Sequence, residues 1–289
     1  MKSAWMLVAA ALFGVMGVLV KTASPDFSSA ELVFYRSVFG LVSIYLIILL
    51  RTRTWVASLA TRHWQAHIRR AFSGFAALVL FFYAVAHLPL ATAVTLNYTA
   101  PLFLALLTTL WLGERQTTSL AFAIFLGFVG VVILLRPGMA NEDGWALWMG
   151  LASGMLAAVA YLNVRALGRL GEPEWRIVFY FALISTLGAA ASMLWYGAHW
   201  PAPSQMPLLL AIGVTATLAQ LAMTRAYRLG NTLVVGSLAY STVGFSVLYG
   251  TLFFHDSLSR QAWGGVGLIV MAGLLATRVS SDQIVHKPE

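Results

Sequence analysis

The sequence contains no cysteine, which excludes disulfides, iron–sulfur ligation and a thiolate zinc site. Charge is also scarce: Asp, Glu, Lys and Arg make up 10% of the 289 residues, against about 25% in a soluble domain. There is no phosphate-cradling Walker lysine loop, no His-Glu-x-x-His and no Gly-x-Ser-x-Gly. An ATP-driven pump working from this chain alone is therefore excluded. A channel filter or a ring of like charges is equally missing. No cofactor, no metal and no nucleic-acid partner is expected, and the chain is not read as an enzyme.

What is present in quantity is apolar. Hydrophobic residues make up 60% of the chain and the mean hydropathy is +0.82. A soluble fold of this length could not bury that much apolar surface, so we expect an all-α integral membrane protein. A spanning helix takes about 20 apolar residues. Apolar runs bounded by charge or turn residues fall at 4–20, 31–50, 71–87, 90–111, 117–135, 145–165, 175–198, 206–226, 232–254 and 260–278. The alternating strands of a barrel are absent from the pattern. The first run exceeds a signal-peptide core of about 7–15 residues, so it reads as a retained helix.

Cations orient the spans. With the N-terminus inside, the inner segments hold Lys2, Arg51, Arg53, Arg62, Arg69, Arg70, Arg115, Arg165, Arg169, Arg176, Arg225, Arg228, Arg278 and Lys287, fourteen in all. The outer segments hold only Lys21, Arg136 and Arg260. That bias predicts cytoplasmic termini and an even number of spans. The basic stretch 51–70 is expected to lie along the inner surface. His63 and His67 stand four apart there, a spacing that can bind metal on a helix, but two arginines and no acidic partner follow them.

Ten spans divide into five and five, at 1–140 and 141–289. Sliding residues 83–136 onto 225–278, an offset of 142, matches Tyr98 with Tyr240, Phe103 with Phe245, Thr109 with Thr251 and Glu114 with Asp256. Nine identities in 54 positions are little above what so apolar a composition gives, so the shared order of helix ends and acidic turns carries more weight. An odd number of spans per half inverts one half against the other. Inverted repeats are a device of secondary transporters, with the site between the halves near the midplane.

The strings Leu88-Pro89-Leu90-Ala91-Thr92-Ala93, Asn97-Tyr98-Thr99-Ala100-Pro101-Leu102-Phe103, Leu112-Gly113-Glu114-Arg115 and Gly127-Phe128-Val129-Gly130-Val131 resemble an EamA domain. Glu31-Leu32-Val33-Phe34-Tyr35-Arg36-Ser37 in the second span fits the same pattern. The resemblance is to the ten-helix branch of the drug/metabolite transporter superfamily and covers nearly the whole chain. It is weaker in the second half, where Val243 replaces the proline and His255-Asp256 the Gly-Glu turn. It implies two inverted five-helix repeats in an inner membrane, alternating access, and a small organic metabolite as cargo. The aromatic-amino-acid exporters of the YddG type belong to this family, and we expect export of amino acids, aromatic ones included. Uptake or exchange of a cofactor or nucleoside-like metabolite, of the S-adenosylmethionine or riboflavin type, is the alternative. A non-transporting scaffold or an intramembrane enzyme is the alternative from another class. Proton coupling and facilitated diffusion are both left open.

The polar aromatic set within spans comprises Tyr83, Asn97, Tyr98, Tyr161, Asn163, Gln220 and Tyr240, a candidate substrate cavity suited to a flat or zwitterionic molecule. The competing reading is hydrogen bonding between helices, worth about 0.6 kcal/mol each. Charge at membrane depth costs about 2.5–3.5 kcal/mol, so Lys21, Glu31 and Arg36 need a reason. We expect Lys21 and Glu31 to pair across the outer turn. Arg36 either holds a cargo carboxylate or phosphate or fixes a gate. Pro101 is expected mid-span as a hinge or bend. Ala146, Gly150, Gly154 and Ala158 form a small-residue stripe for close helix packing.

Overall fold

The computed structural model describes residues 2–52, 59–112, 118–135, 143–230, 235, 238–239, 241–255 and 259–285. Every regular element among them is helical. They are α1 (Trp5–Ala23), α2 (Ser29–Thr52), α3 (Trp64–His87), α4 (Leu90–Asn97), α5 (Ala100–Leu112), α6 (Thr118–Leu135), α7 (Gly144–Arg169), α8 (Glu174–Tyr196), α9 (Met206–Leu229), α10 (Ser241–Phe254) and α11 (Arg260–Val285). Seven stretches among the described residues are long and apolar enough to cross a membrane: α1, α2, α3, α4 with α5, α7, α8 and α9. Exposed Trp5, Trp64, Trp145, Trp195, Trp200 and Trp263 lie at or near helix ends, where an aromatic belt at the membrane interface would place them. Glu114, Arg115, Arg136, Tyr240 and Asp256 lie outside the described residues.

The helices pair in a regular way. α3 packs along α7, α1 along α9, α2 along α8, and α6 along α11, while α10 lies against α1 and α4. Small residues permit the closest approach. Ala146 and Ala158 are fully buried on α7, and a Cβ at Gly150 would meet the Leu96 side chain at 2.9 Å. The stripe is packing, as expected.

Two sequence expectations are corrected. The stretch 51–70 is not wholly a surface loop. α3 begins at Trp64, two turns before its apolar run, because His67 and Arg70 fold onto its buried face rather than into solvent. That withdraws Arg70 from the inner set and leaves thirteen cations there. Pro101 is not a mid-helix kink. It stands in the first turn of α5, where a missing N–H costs little, and the fourth span is broken between Asn97 and Ala100.

Helix α7 explains how the break is tolerated. A Cβ on Gly154 would stand 2.7 Å from the carbonyl oxygen of Leu96, 3.0 Å from that of Asn97 and 2.6 Å from Thr99 Oγ1. Only glycine lets the helix lie against these groups. Gly154→Ala must push backbone rather than a flexible side chain, and overpacking of that kind costs about 1–3 kcal/mol. Gly154→Ala is expected to lower the melting temperature of the purified protein. An unchanged melting curve would show that α7 can retreat without loss.

Candidate functional site

Helices α1 to α4 and α7 to α10 surround a cavity of about 80 Å³. A cavity needs about 10–15 Å³ to hold one water, so there is room for a small polar group and several waters. Arg36, Arg70, Asn97, Tyr98, Tyr161, Gln220 and Thr242 supply its polar lining, and Phe13, Phe81, Phe181 and Met223 much of its apolar lining.

The structure brings together five of the expected residues: Asn97, Tyr98, Tyr161, Gln220 and Arg36. Asn97 is held by its amide, which donates to Ser153 Oγ at 2.9 Å. Tyr98 is buried at the break that ends α4. Tyr161 stacks on Tyr227 with ring centroids 4.8 Å apart. Tyr83 and Asn163 are not among the lining residues: Tyr83 stacks on His87 at 4.1 Å, and the Asn163 amide donates back to the Val159 carbonyl one turn earlier.

Arg70 was missed from the sequence as a site residue, because its run of cations read as a loop. A signal was present, since Arg70, Gly74, Ala77 and Phe81 share one face of α3 at helical spacing. Arg36 and Arg70 each lie about 10 Å along their helix from its start, and α2 and α3 enter the bundle from opposite ends. Both guanidiniums meet the Phe181 ring, Arg36 at 5.5 Å and Arg70 at 4.4 Å from its centroid. Arg36 is 5% exposed and Arg70 2%. No carboxylate is among the described residues that line the cavity. Gly74 makes space for this, since a Cβ there would collide with Arg70 Nη1.

The expected Lys21–Glu31 pair is corrected. Glu31 accepts instead from the Ser28 N–H and hydroxyl, both at 2.8 Å, and from the His199 N–H at 2.7 Å. Its short side chain reaches the turn beside it and the α8–α9 connection, while Lys21 donates to the Leu88 carbonyl at 3.3 Å and lies over the Phe254 ring. The Tyr35 hydroxyl adds a bond to the His199 carbonyl. Glu31 is 2% exposed. It therefore ties α2 to the segment leading into α9.

A second buried carboxylate does the reverse. Glu172, 4% exposed, follows the turn that ends α7, where Gly171 takes a φ of +81° that a side chain would strain. It accepts from the Thr61 hydroxyl at 2.5 Å and from Arg176 at 2.9 Å, and His67 Nε2 stands 3.4 Å away. Glu172 thus ties the α7–α8 turn to the α2–α3 connection and α3. Glu31 and Glu172 are 141 residues apart, one short of the 142-residue repeat offset.

Burial pushes the Glu172 carboxyl up, but hydrogen bonds from Thr61 and Arg176 and the Arg176 charge outweigh it, so its pKa lies below the ordinary value of 4.5. A depressed folded-state pKa gives stability that is full above the unfolded value and lost as pH falls through the folded one. Melting temperature is expected to decline as pH drops below about 4.5, and Glu172→Gln is expected to flatten that decline. Identical acid profiles for the two proteins would refute it.

A membrane-embedded helical bundle closed around a polar, aromatic and doubly cationic cavity has the architecture of a carrier for small solutes. The EamA-like transporter family matches residues 2–136. A pseudopaline exporter of Pseudomonas aeruginosa is 32% identical over 94% of this chain and 94% of its own. A riboflavin transporter of Rhizobium johnstonii is 26% identical over 95% of this chain and 90% of its own. An S-adenosylmethionine uptake transporter of Rickettsia felis is 21% identical over 99% and 95%. A solved crystal structure at 20% identity superimposes with a TM-score of 0.72 over 96% of this chain and 99% of that one, which shows a shared fold. The chain belongs to the EamA-like transporter family of the drug/metabolite transporter superfamily.

Proposed function

We propose that this transporter works as ten spans in two inverted halves, 1–140 and 141–289, by alternating access, and that it exports amino acids, aromatic ones included, across an inner membrane. One observation carries the mechanism: a central cavity lies between two buried carboxylate ties, Glu31 to His199 and Glu172 to Thr61, each joining one half to a connection of the other. Opening either end requires its tie to break while the other holds. The helix pairing supports the inversion, because exchanging the halves turns the α1–α9 contact into the α7–α3 contact and leaves α2–α8 and α6–α11 paired with themselves.

The amino-acid reading rests on the aromatic lining and on an arginine able to grip a carboxylate. The varied cargoes in the relatives' names, a pseudopaline export label beside riboflavin and S-adenosylmethionine labels, leave cofactor uptake as the second reading. Purified protein in liposomes, loaded with labelled amino acids, is expected to release them faster than protein-free liposomes carrying the same load. Flux of riboflavin or S-adenosylmethionine without amino-acid flux would favour the second reading.

The chain's lack of cysteine makes topology directly measurable. Ala60→Cys and Pro203→Cys are expected to react with a membrane-impermeant thiol reagent from opposite sides, position 60 from the cytoplasm. Labelling of both from one side would refute the inverted arrangement.

A further inference from the structure

We infer that the cavity selects a cargo with two carboxylates, a short organic dianion or an acidic amino acid, over neutral amino acids and over cations. The inference rests on the carrier reading above, keeps its acidic amino acids and sets its aromatic ones aside as preferred cargo. Arg36 Nε, Arg70 Nε and Nη1, and Gln220 Nε2 are all buried without a hydrogen-bond partner. Every one of them is a donor, and all four belong to residues lining one cavity. Buried donors in native structures find acceptors, and here no carboxylate among the described lining residues supplies them. The missing partner is therefore acceptor-rich.

Charge sets the number of carboxylates. Two guanidiniums against one ring leave two positive charges in a low-dielectric space. A cargo with one carboxylate compensates one of them and leaves the other exposed to its like neighbour. Two carboxylates compensate both, each in the planar fork that arginine presents. An ammonium on the same cargo can meet the other aromatic rings of the lining, Phe13 and Phe81. A cation without carboxylates meets only repulsion. Gly74 belongs to the same device: its missing Cβ is the space into which Arg70 Nη1 folds.

The test is binding to purified protein in nanodiscs, by calorimetry and thermal shift, with succinate, L-glutamate, L-phenylalanine and putrescine as probes. Succinate and glutamate are expected to bind at least tenfold more tightly than phenylalanine, and putrescine not to bind. Arg36→Gln and Arg70→Gln are each expected to weaken succinate tenfold or more and to narrow its advantage over phenylalanine. Gly74→Ala keeps every polar group yet displaces Arg70, so it should weaken succinate as well and serves if an arginine variant fails to fold. Phenylalanine binding as tightly as succinate, no dicarboxylate binding, or succinate affinity unmoved by these substitutions would each overturn the proposal. Liposome flux separates it from the carrier reading. Neutral amino-acid flux without dicarboxylate binding sinks the charge selection alone. Tight dicarboxylate binding without flux of any probe sinks the carrier reading and leaves the anion site.

Discussion

Arg70→Met is expected to raise the melting temperature of the purified protein while abolishing cargo binding. A buried, unpaired guanidinium is a standing cost of several kcal/mol, and exchanging buried charge for a well-packed apolar side chain often stabilises by about 1–4 kcal/mol. The contact with Phe181 at 4.4 Å returns part of that, about 0.5–2 kcal/mol for a desolvated cation over a ring. The balance favours methionine, whose flexible chain can follow the path of the arginine stem beside Gly74. For a chain of this size about 1 kcal/mol moves a melting temperature by roughly 2–4 °C. Had Arg70 a structural role, satisfied by neighbouring carbonyls, its removal would strand those acceptors and lower the melting temperature. Scanning fluorimetry on the variant alone therefore decides between the two, before any cargo is added. A fall in melting temperature retires the functional reading of Arg70.

Glu31→Gln and Glu172→Gln are expected to open the protein at opposite ends. Each carboxylate receives charge-assisted bonds from the other half, and such bonds contribute about 1.5–3 kcal/mol each. Losing that much on one side shifts an equilibrium between two facing states roughly ten- to hundredfold. The substitution is conservative in shape, so the change acts on the tie rather than on packing. The readout is a single cysteine placed at Met223, which lines the cavity, probed with a membrane-impermeant thiol reagent from each side. Glu172→Gln should raise its reaction rate from the side that carries Thr61, and Glu31→Gln from the side that carries His199. The same side for both variants, or no change in either, would remove the two ties from the transport cycle.

The pH response separates the ties from the cavity. Glu172 titrates below its ordinary range, so acid removes the tie at that end. Loss of cargo binding at neutral pH in the arginine variants and loss of closure in acid are thus independent observations.

Much of this molecule could be read directly along the chain. Composition alone placed it in a bilayer, because no soluble fold could bury so apolar a chain. The run lengths placed the spans, and every one that the described residues test is helical. The motif at Asn97 to Phe103 pointed to the family and put Asn97 and Tyr98 at the cavity. These properties are local: hydropathy and helix periodicity act over one or two turns, and a reader of the sequence sees them at once.

What the tertiary structure decided is pairing. Arg70 lies among cations and reads as part of a basic loop, yet α3 starts early enough to carry it to the same ring as Arg36. Lys21 and Glu31 look like partners across a turn, yet Glu31 bonds a segment 168 residues away. Glu172 carries no motif, and becomes a tie only because Thr61, just before α3, comes within reach of its carboxylate. In a membrane, the solvent provides no partner for such groups, so the packing of distant helices decides whether a buried charge meets a partner, as Glu31 and Glu172 do, or is left facing a cavity, as Arg36 and Arg70 are, and sequence spacing holds no record of that choice.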